Sequence, residues 1–384
     1  MEKHEEQFLY LLKKSVYGET VPADYQFDAV RVFCLSEIHN VTPLIYSVCC
    51  SCDCAKSFKS KTVTYVGLQI QRNLRFLRLY DSMCKSGLDP IILKGPVCAS
   101  LYPQPDYRIS SDFDVFVSPE NENKTEKFLI KSGFDKTGNN YISDELGLYI
   151  EIHTDLSEGE SVSGLKTSDI FSHSLDNTTL YGEYKSLSYT DNMIYLIYHA
   201  FKHFIKSGFG VRQILDIAFF ADKYKSDIDF ERVFSSLAFI KADIFAYNVF
   251  YAAEKCFDFR FSFMGSRYDK NIIFFDDFIS DVLSAGVFGS SSHDRLHSAQ
   301  MVSSAVSVSG ERHISDTLFP PYSTMKNKYK ILKYLPVLLP VFWIWRIVVY
   351  CCKVIFGKNN ISPKKTVAIA DERISLMKKM KIIS

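Results

Sequence analysis

Two aspartates on one predicted strand mark the part of the chain best suited to chemistry. Asp112 and Asp114 flank Phe113 in an apolar run that ends at Val117. Successive side chains of a strand point to opposite faces, so the two carboxylates would share one face. Adjacent carboxylates repel each other unless a cation lies between them, and hard oxygen ligands suit Mg²⁺. The pair therefore predicts a divalent-metal site.

A glycine turn upstream of the aspartates predicts a place for a phosphate group. The strand predicted at 91–93 runs into Lys94, Gly95 and Pro96. Gly95 suits a helix N-cap, and Pro96 suits the first helical position, where the missing N–H costs nothing. Backbone N–H groups at the start of a helix bind phosphate. Metal-binding carboxylates beside such a phosphate cradle are the two parts that nucleotidyl transfer needs.

A third carboxylate lies on another predicted strand, the alternating run LYIEIH at 148–153. Glu151 and His153 are two positions apart and would share a face of that strand, so that His153 would line the catalytic cleft. If this strand neighbours the aspartate strand, Glu151 would bind the same cation or act as general base on an attacking hydroxyl. The alternative is a glutamate on an edge strand that faces water.

Cations and hydroxyls near the turn extend the predicted phosphate site. Lys94 and Arg108 would stabilise the charge of a triphosphate as its phosphorus–oxygen bond breaks. Ser110 and Ser111 would donate hydroxyls to phosphate. The alternatives are ordinary surface cations and a solvated serine turn.

A polar stripe on the helices that follow is a second candidate region. His199 and His203 are four residues apart on one predicted helix, and Arg212 and Asp216 repeat that spacing on the next. Two histidines at this spacing can bind zinc, but the metalloprotease glutamate of His-Glu-x-x-His is missing. The stripe favours a helix face that lines the catalytic cleft, with a structural hydrogen-bond cluster as the alternative.

The pattern of apolar residues predicts an α/β (α+β) fold in which a small mixed sheet carries the site between helical regions. With 384 residues, of which 47% are hydrophobic, the chain is long enough for more than one domain. Four regions are predicted: a helical region at 1–88, a catalytic core at 89–190, a helical domain at 191–325, and a basic and apolar segment with its tail at 326–384. Residues 289–317 are Ser-rich and predict a loop with a short helix near 299–306.

Charge and cysteine content narrow the class of protein. Lys and Arg number 45 against 44 Asp and Glu, so no global charge attracts nucleic acid. The N-terminus lacks the uninterrupted apolar core of a signal peptide, which predicts a cytoplasmic protein with reduced thiols. The cluster at Cys49, Cys50, Cys52 and Cys54 has no second Cys/His pair at zinc-site spacing, which favours a structural role.

The segment at 326–357 predicts contact with a membrane surface or with the rest of the protein. Lysines at 326, 328, 330 and 333 precede the run LPVLLPVFWIW, which Arg346 interrupts. The uncharged run is shorter than the ~20 residues that span a bilayer. Lysines beside tryptophans and aliphatic residues are typical of an interfacial helix. The alternative is a helix docked on the catalytic domain.

The ordered motifs resemble a known family. Lys94-Gly95, Tyr102-Pro103, Arg108, Asp112-x-Asp114 and Glu151-Ile152-His153 are similar to the pattern of bacterial nucleotidyltransferase-like proteins of the DNA polymerase β-like superfamily. The histidine stripe and the segment LPVLLPVFWIWR also look like that family. The resemblance covers about residues 30 to 350.

This resemblance implies a nucleotidyltransferase fold and a metal-dependent enzyme. Its implied substrate is an NTP such as ATP, and its implied cofactor is Mg²⁺, with two ions held by Asp112, Asp114 and Glu151. The acceptor stays open among a small molecule, a sugar phosphate, RNA and protein. The alternative from another class is a non-catalytic scaffold at the membrane surface that retains the nucleotide fold.

Overall fold

A computed structural model provides the structure of the protein. It describes residues 1–157, 161–162, 165–265, 275–287, 329–333, 335–356 and 363–383, together with 295, 298, 319, 322 and 325–326. Most of the Ser-rich region at 289–317, including the helix predicted near 299–306, lies outside the described residues.

The N-terminal region is helical, as predicted. Apolar residues at three- and four-residue intervals give each helix a buried face. Asp28 begins the second helix, because its side chain accepts a hydrogen bond from the backbone N–H of Arg31. The helices are α1 (Lys3–Val16), α2 (Ala29–Ile38), α3 (Thr42–Cys49) and α4 (Lys59–Lys85).

A small mixed sheet follows and confirms the predicted fold class. The five strands of this sheet are β1 (Ile91–Ile92), β2 (Phe113–Phe116), β3 (Asp135–Thr137), β4 (Asn140–Ser143) and β5 (Leu148–His153). Their spatial order is β1-β2-β5-β4-β3. Strands β2 and β5 run parallel, whereas the other neighbouring pairs are antiparallel.

The helix after β1 is short. Gly95 caps α5 (Pro96–Ala99) with a positive φ of 67°, a conformation that favours glycine. The helix is a single turn that ends four residues before Pro103. The strand predicted at 91–93 ends at Ile92, and Asp112 precedes β2 rather than lying within it.

Helix α6 (Glu122–Lys131) connects β2 to β3 and ends before Gly133. Two short antiparallel hairpins follow the main sheet. They consist of β6 (Ser161–Val162) with β7 (Leu165–Lys166), and β8 (Thr178–Tyr181) with β9 (Tyr184–Leu187).

The rest of the described chain is helical. No helix among the described residues is long and apolar enough to cross a membrane. These helices are α7 (Tyr189–Lys206), α8 (Val211–Lys223), α9 (Phe230–Phe239), α10 (Asp243–Phe257), α11 (Phe275–Ala285), α12 (Leu339–Phe356) and α13 (Pro363–Lys379).

Buried apolar side chains join the N-terminal helices, the sheet and the later helices in one core. Phe76 of α4 stacks on Phe113 of β2, with ring centroids 4.0 Å apart and planes 7° from parallel. The two rings fix α4 against the face of β2 opposite to Asp114.

The division of the chain into four regions, at 1–88, 89–190, 191–325 and 326–384, stays a prediction.

His39 links three helices at the edge of this core. Its Nδ1 accepts the backbone N–H of Val211 at 3.2 Å, so Nε2 carries the proton and donates to the carbonyl of Leu283 at 3.2 Å. Gly210 fits here because a Cβ would lie 2.7 Å from His39 Nδ1. Burial lowers the pKa of His39 from its ordinary 6.5 to about 4.

The burial of His39 predicts acid sensitivity. Between pH 6.5 and about 4 the unfolded chain binds a proton at this ring and the folded chain does not, so stability falls as pH falls. The contribution of His39 is about 3 kcal/mol across that interval. Urea unfolding at both ends of the interval should show a smaller loss of stability in His39→Gln than in the wild type.

The exposed ring of His173 provides a control, because its side chain is 82% accessible. His173→Gln should keep the wild-type dependence on pH. An equal loss of stability in His39→Gln and the wild type would contradict the assignment.

Candidate active site

The parallel pairing of β2 with β5 brings the predicted acidic residues together. Asp114 is in register with Glu151. Nε2 of His153 lies 3.2 Å from Oδ1 of Asp114 and 3.8 Å from Oε1 of Glu151. Asp114 is fully buried, whereas the side chain of Glu151 is 34% accessible. The group is therefore deep on one side and open on the other.

Among the described residues, Asp114, Glu151 and His153 form a group with the geometry of a metal site. One ligand atom from each lies within 4.8 Å of the others. Two carboxylate oxygens and one imidazole nitrogen suit a divalent cation. Sequence reasoning had placed Asp112 in the metal site and His153 in the cleft lining, but His153 belongs to this group and Asp112 lies outside it.

Asp112 instead shares the ammonium group of Lys94 with Asp114. Nζ of Lys94 lies 3.1 Å from Oδ2 of Asp114 and 3.7 Å from Oδ2 of Asp112. Burial opposes the charge of Lys94, but the carboxylates of Asp114 and then Asp112 outweigh burial and raise the pKa of the ammonium. Burial likewise opposes the charge of Asp114, but Lys94 and then His153 outweigh it and lower the pKa of that carboxyl.

The histidines of α7 approach the sheet through Lys94. Nζ of Lys94 lies 2.8 Å from Nε2 of His199, which lies 3.0 Å from Nε2 of His203. Burial and then the charge of Lys94 lower the pKa of His199 well below its ordinary value. The same two causes lower the pKa of His203 to about 3. Both rings are therefore neutral at physiological pH.

A cavity of about 690 Å³ opens beside these groups. Lys94, Asp112 and Glu151 line it from the sheet and the segments next to its strands. Helix α7 contributes four basic or histidine side chains to the same cavity, at positions 199, 202, 203 and 206. Sequence reasoning missed Lys202 and Lys206, although their spacing with the histidines is that of one helix face and would have identified them.

The predicted phosphate-binding serines differ in position. Ser111 is exposed and lines the cavity. Ser110 is buried, and its hydroxyl donates to Oδ1 of Asp112 at 3.2 Å. Arg72 of α4 also lines the cavity. Gly95 caps a helix of only one turn and is not among the residues that line the cavity.

Arg108 and Asp216 form a buried ion pair below the cavity. Nε and Nη2 of Arg108 each lie 2.7 Å from an oxygen of Asp216, and the hydroxyl of Tyr102 donates to the same carboxylate at 2.8 Å. Burial opposes the charge of Asp216, but Arg108 outweighs it and lowers the pKa of that carboxyl. Arg212, also buried, donates to the carbonyl of Ile109. These contacts attach the segment before β2 to α8.

The cysteine cluster shows no metal-binding arrangement within the described residues. Cys49, Cys50, Cys52 and Cys54 are free thiols, and none joins a described group with metal-site geometry. Burial raises the pKa of Cys49 to about 12, which keeps the thiol protonated.

The residues of this site lie within a match to a protein family. Residues 25–258 match the model of a family described as uncharacterised nucleotidyltransferase. The chain belongs to this nucleotidyltransferase family. Curated proteins and solved structures yield no match. Membership suggests a transferase that uses a nucleotide, and it agrees with the metal-site geometry of Asp114, Glu151 and His153.

The ion pair between Arg108 and Asp216 predicts a large and non-additive effect on stability. Arg108→Met leaves a buried carboxylate without its partner and should lower the free energy of unfolding by about 3–5 kcal/mol. The double variant Arg108→Met/Asp216→Leu should cost less than Arg108→Met alone, because no charge stays buried. Urea denaturation measures the free energy of unfolding of the wild type, both single variants and the double variant.

The exposed ion pair between Lys185 and Asp89 serves as the control, since their side chains are 30% and 69% accessible. Lys185→Met should cost no more than about 1 kcal/mol. Additive costs for the Arg108 and Asp216 substitutions would contradict the assigned pairing.

Proposed function

We propose that the protein transfers a nucleoside monophosphate from an NTP to an acceptor hydroxyl or phosphate. In this reaction an acceptor oxygen bonds to the α-phosphorus, the bond from that phosphorus to the bridging oxygen breaks, and pyrophosphate leaves. The observation that carries the proposal is the group of Asp114, Glu151 and His153 at the edge of a basic cavity. The same motifs support membership in the bacterial branch of the DNA polymerase β-like superfamily.

The carboxylates supply the metal site in this proposal. Asp114 and Glu151, with His153, would hold a divalent ion. The sequence pattern alone predicts that Asp112 joins them and that a second Mg²⁺ binds. A bound ion neutralises charge on the triphosphate and lowers the pKa of an attacking group. Glu151 is the ligand nearest solvent, so it also suits the role of general base toward the acceptor.

The cations and hydroxyls around the cavity would bind the triphosphate. Lys202 and Lys206 on α7 line the cavity together with Lys94 and Ser111. Positive charges around a cavity attract an anion and would stabilise the pyrophosphate as it leaves. Arg108, paired with Asp216, would act as a positioning residue that fixes the segment carrying Ser110 and Asp112.

The acceptor is open among small molecules, sugar phosphates, RNA and protein, including the protein or tRNA targets of toxin-like enzymes. The bacterial cytoplasm supplies the NTP, which favours a cytoplasmic site of action. The alternative of a non-catalytic scaffold at a membrane surface is less favoured, because Asp114, Glu151 and His153 still meet at ligand distance.

Label position on the NTP tests the reaction type. Purified protein is incubated with bacterial extract fractions and ATP labelled at either the α- or the γ-phosphorus, and the other NTPs are tested in parallel. Nucleotidyl transfer moves the α-label into an acceptor and leaves the γ-label in pyrophosphate. Transfer of the γ-label would indicate phosphoryl transfer and contradict the proposal. Asp114→Asn, which removes the central carboxylate charge, should abolish α-label transfer.

Glu151→Gln should reduce turnover more than nucleotide affinity. Its carboxylate faces the acceptor side, so its loss acts on the transition state and should lower kcat by roughly 100-fold or more. Calorimetry with ATP should show a much smaller change in Kd.

Glu145→Gln is the matched control, because Glu145 is exposed on the turn before β5 and does not line the cavity. It should keep the wild-type kcat. A wild-type kcat in Glu151→Gln would place Glu151 outside the reaction.

We also propose that α12 lies on an anionic membrane surface. Exposed apolar residues follow helical spacing, with Val341 58%, Ile344 63%, Trp345 57% and Val348 47% accessible. Between Asp316 and Asp371 the sequence has no acidic residue and many lysines. An apolar helix face within a basic segment complements anionic lipid headgroups.

Liposome sedimentation tests this surface with the full chain, because α13 beyond it packs into the core through Met377. Wild-type protein should bind vesicles that contain an anionic lipid and lose binding as salt rises, with about 1 kcal/mol from each nearby lysine. Ile344→Ser/Trp345→Ser should bind weakly, whereas Leu180→Ser, at a residue 70% accessible elsewhere, should bind as wild type. Equal binding by all three proteins, or no binding by wild type, would contradict the proposal.

A further inference from the structure

Asp114 faces a different nitrogen group on each of its two carboxylate oxygens. Oδ2 lies 3.1 Å from Nζ of Lys94, and Oδ1 lies 3.2 Å from Nε2 of His153. Glu151 is on the His153 side, and Asp112 is on the Lys94 side. The site therefore has two positions for positive charge, and this chain fills one of them with its own ammonium.

The position between Asp112 and Asp114 is the one that a second divalent ion would need. Lys94 reaches it from the turn after β1, and its side chain is only 15% accessible. On the opposite side, Nζ lies 2.8 Å from His199 Nε2, and burial together with Lys94 keeps that ring neutral. A neutral imidazole accepts a hydrogen bond from the ammonium, so it holds Lys94 in place without repelling it.

The other position has a mixed set of donor atoms. Ligands about 2.1 Å from an octahedral ion lie roughly 3 Å from their neighbours. The separations of 3.2 Å and 3.8 Å from His153 Nε2 are close to that spacing. Mg²⁺ in proteins is bound mainly through oxygen, whereas imidazole nitrogen suits transition ions. His153 therefore makes this position more selective than a site made of carboxylates alone.

We infer that the site binds one divalent transition-metal ion, for which Mn²⁺ is the probe, through Asp114, Glu151 and His153, while Lys94 supplies the second positive charge. This inference specifies the metal ion of the proposed function. It rests on the proposed function only for the reaction in which the ion takes part. It replaces the expectation of two Mg²⁺ ions. Asp112 then serves to hold Lys94 rather than to bind metal.

Titration of the nucleotide-free full chain with Mn²⁺ tests the inference directly. Electron paramagnetic resonance reports free Mn²⁺, so the loss of its signal gives the number of ions bound per chain. The wild type should bind one ion. Competition should give a lower Kd for Mn²⁺ than for Mg²⁺, because Mn²⁺ accepts a nitrogen ligand more readily than Mg²⁺ does. Two bound ions, or equal affinities for Mn²⁺ and Mg²⁺, would overturn the inference.

Two substitutions separate the parts of the inference. Lys94→Met leaves Asp112 and Asp114 without their shared ammonium, so the number of bound Mn²⁺ ions should rise from one to two. His153→Asp replaces nitrogen by oxygen and should reduce the preference for Mn²⁺ over Mg²⁺. If folded Lys94→Met still binds one Mn²⁺ ion, Lys94 does not take the place of a second ion. If His153→Asp keeps the wild-type preference for Mn²⁺ over Mg²⁺, His153 does not determine the choice of metal.

Matched controls distinguish these effects from general loss of charge or fold. Lys206→Met removes a cation from the same cavity but not from between the carboxylates, so it should still bind one ion. Lys94→Arg retains the charge and should also bind one. Circular dichroism checks that each variant is folded. If Lys94→Met does not fold, the number of Mn²⁺ ions bound by the wild type tests the inference by itself. Transfer of the α-label from ATP tests the proposed function separately, so the two can fail independently.

Discussion

The buried negative charge of Asp114 is the constraint on which the rest of the site depends. An ionised carboxylate removed from water costs several kcal/mol unless positive or hydrogen-bonding partners surround it. Here the partners come from three elements: Lys94 from the turn after β1, His153 from β5, and His199 behind Lys94 from α7. The carboxylate thus requires that the sheet and α7 pack together in one arrangement.

A second buried charge pair maintains that arrangement from below. Arg108 precedes β2 and Asp216 belongs to α8, so their paired hydrogen bonds fix the segment that leads into the aspartates. Tyr102 joins the same carboxylate and adds the end of the α5 turn. Since α8 packs on α7, this contact also orients the basic face of α7 toward the cavity. Stability and function are therefore coupled through a few polar contacts.

The distribution of charge across the cavity separates two tasks. The acidic groups lie on the sheet, and the added cations, Lys202 and Lys206, lie on α7. Such a division suits a substrate that carries a polyphosphate at one end and is activated at the other. The side of the group beyond Glu151 is open to solvent, since the Glu151 side chain is 34% accessible.

The sequence by itself determined the local geometry. Alternation placed Glu151 and His153 on one face of a strand, and spacing placed His199 and His203 on one face of a helix. It also predicted the mixed sheet between helical regions, the glycine cap at Gly95 and the resemblance to the family. The strand face, the helix face and the glycine cap depend on contacts within a few residues, which the backbone periods of strand and helix encode.

Only the tertiary structure decided how the charged and polar side chains of the site pair with one another. Lys94 lies beside His199 across a separation of 105 residues, and Arg108 meets Asp216 across 108. Neither pairing has a local pattern, because it arises from how β1, β2, α7 and α8 pack. For the same reason, the sequence grouped Asp112 with the metal ligands, whereas packing placed Lys94 between Asp112 and Asp114, and His153 against Asp114. The partner of a buried charge is set by the packing of elements that are distant in the sequence. The periodicity of apolar residues along the chain does not encode that packing.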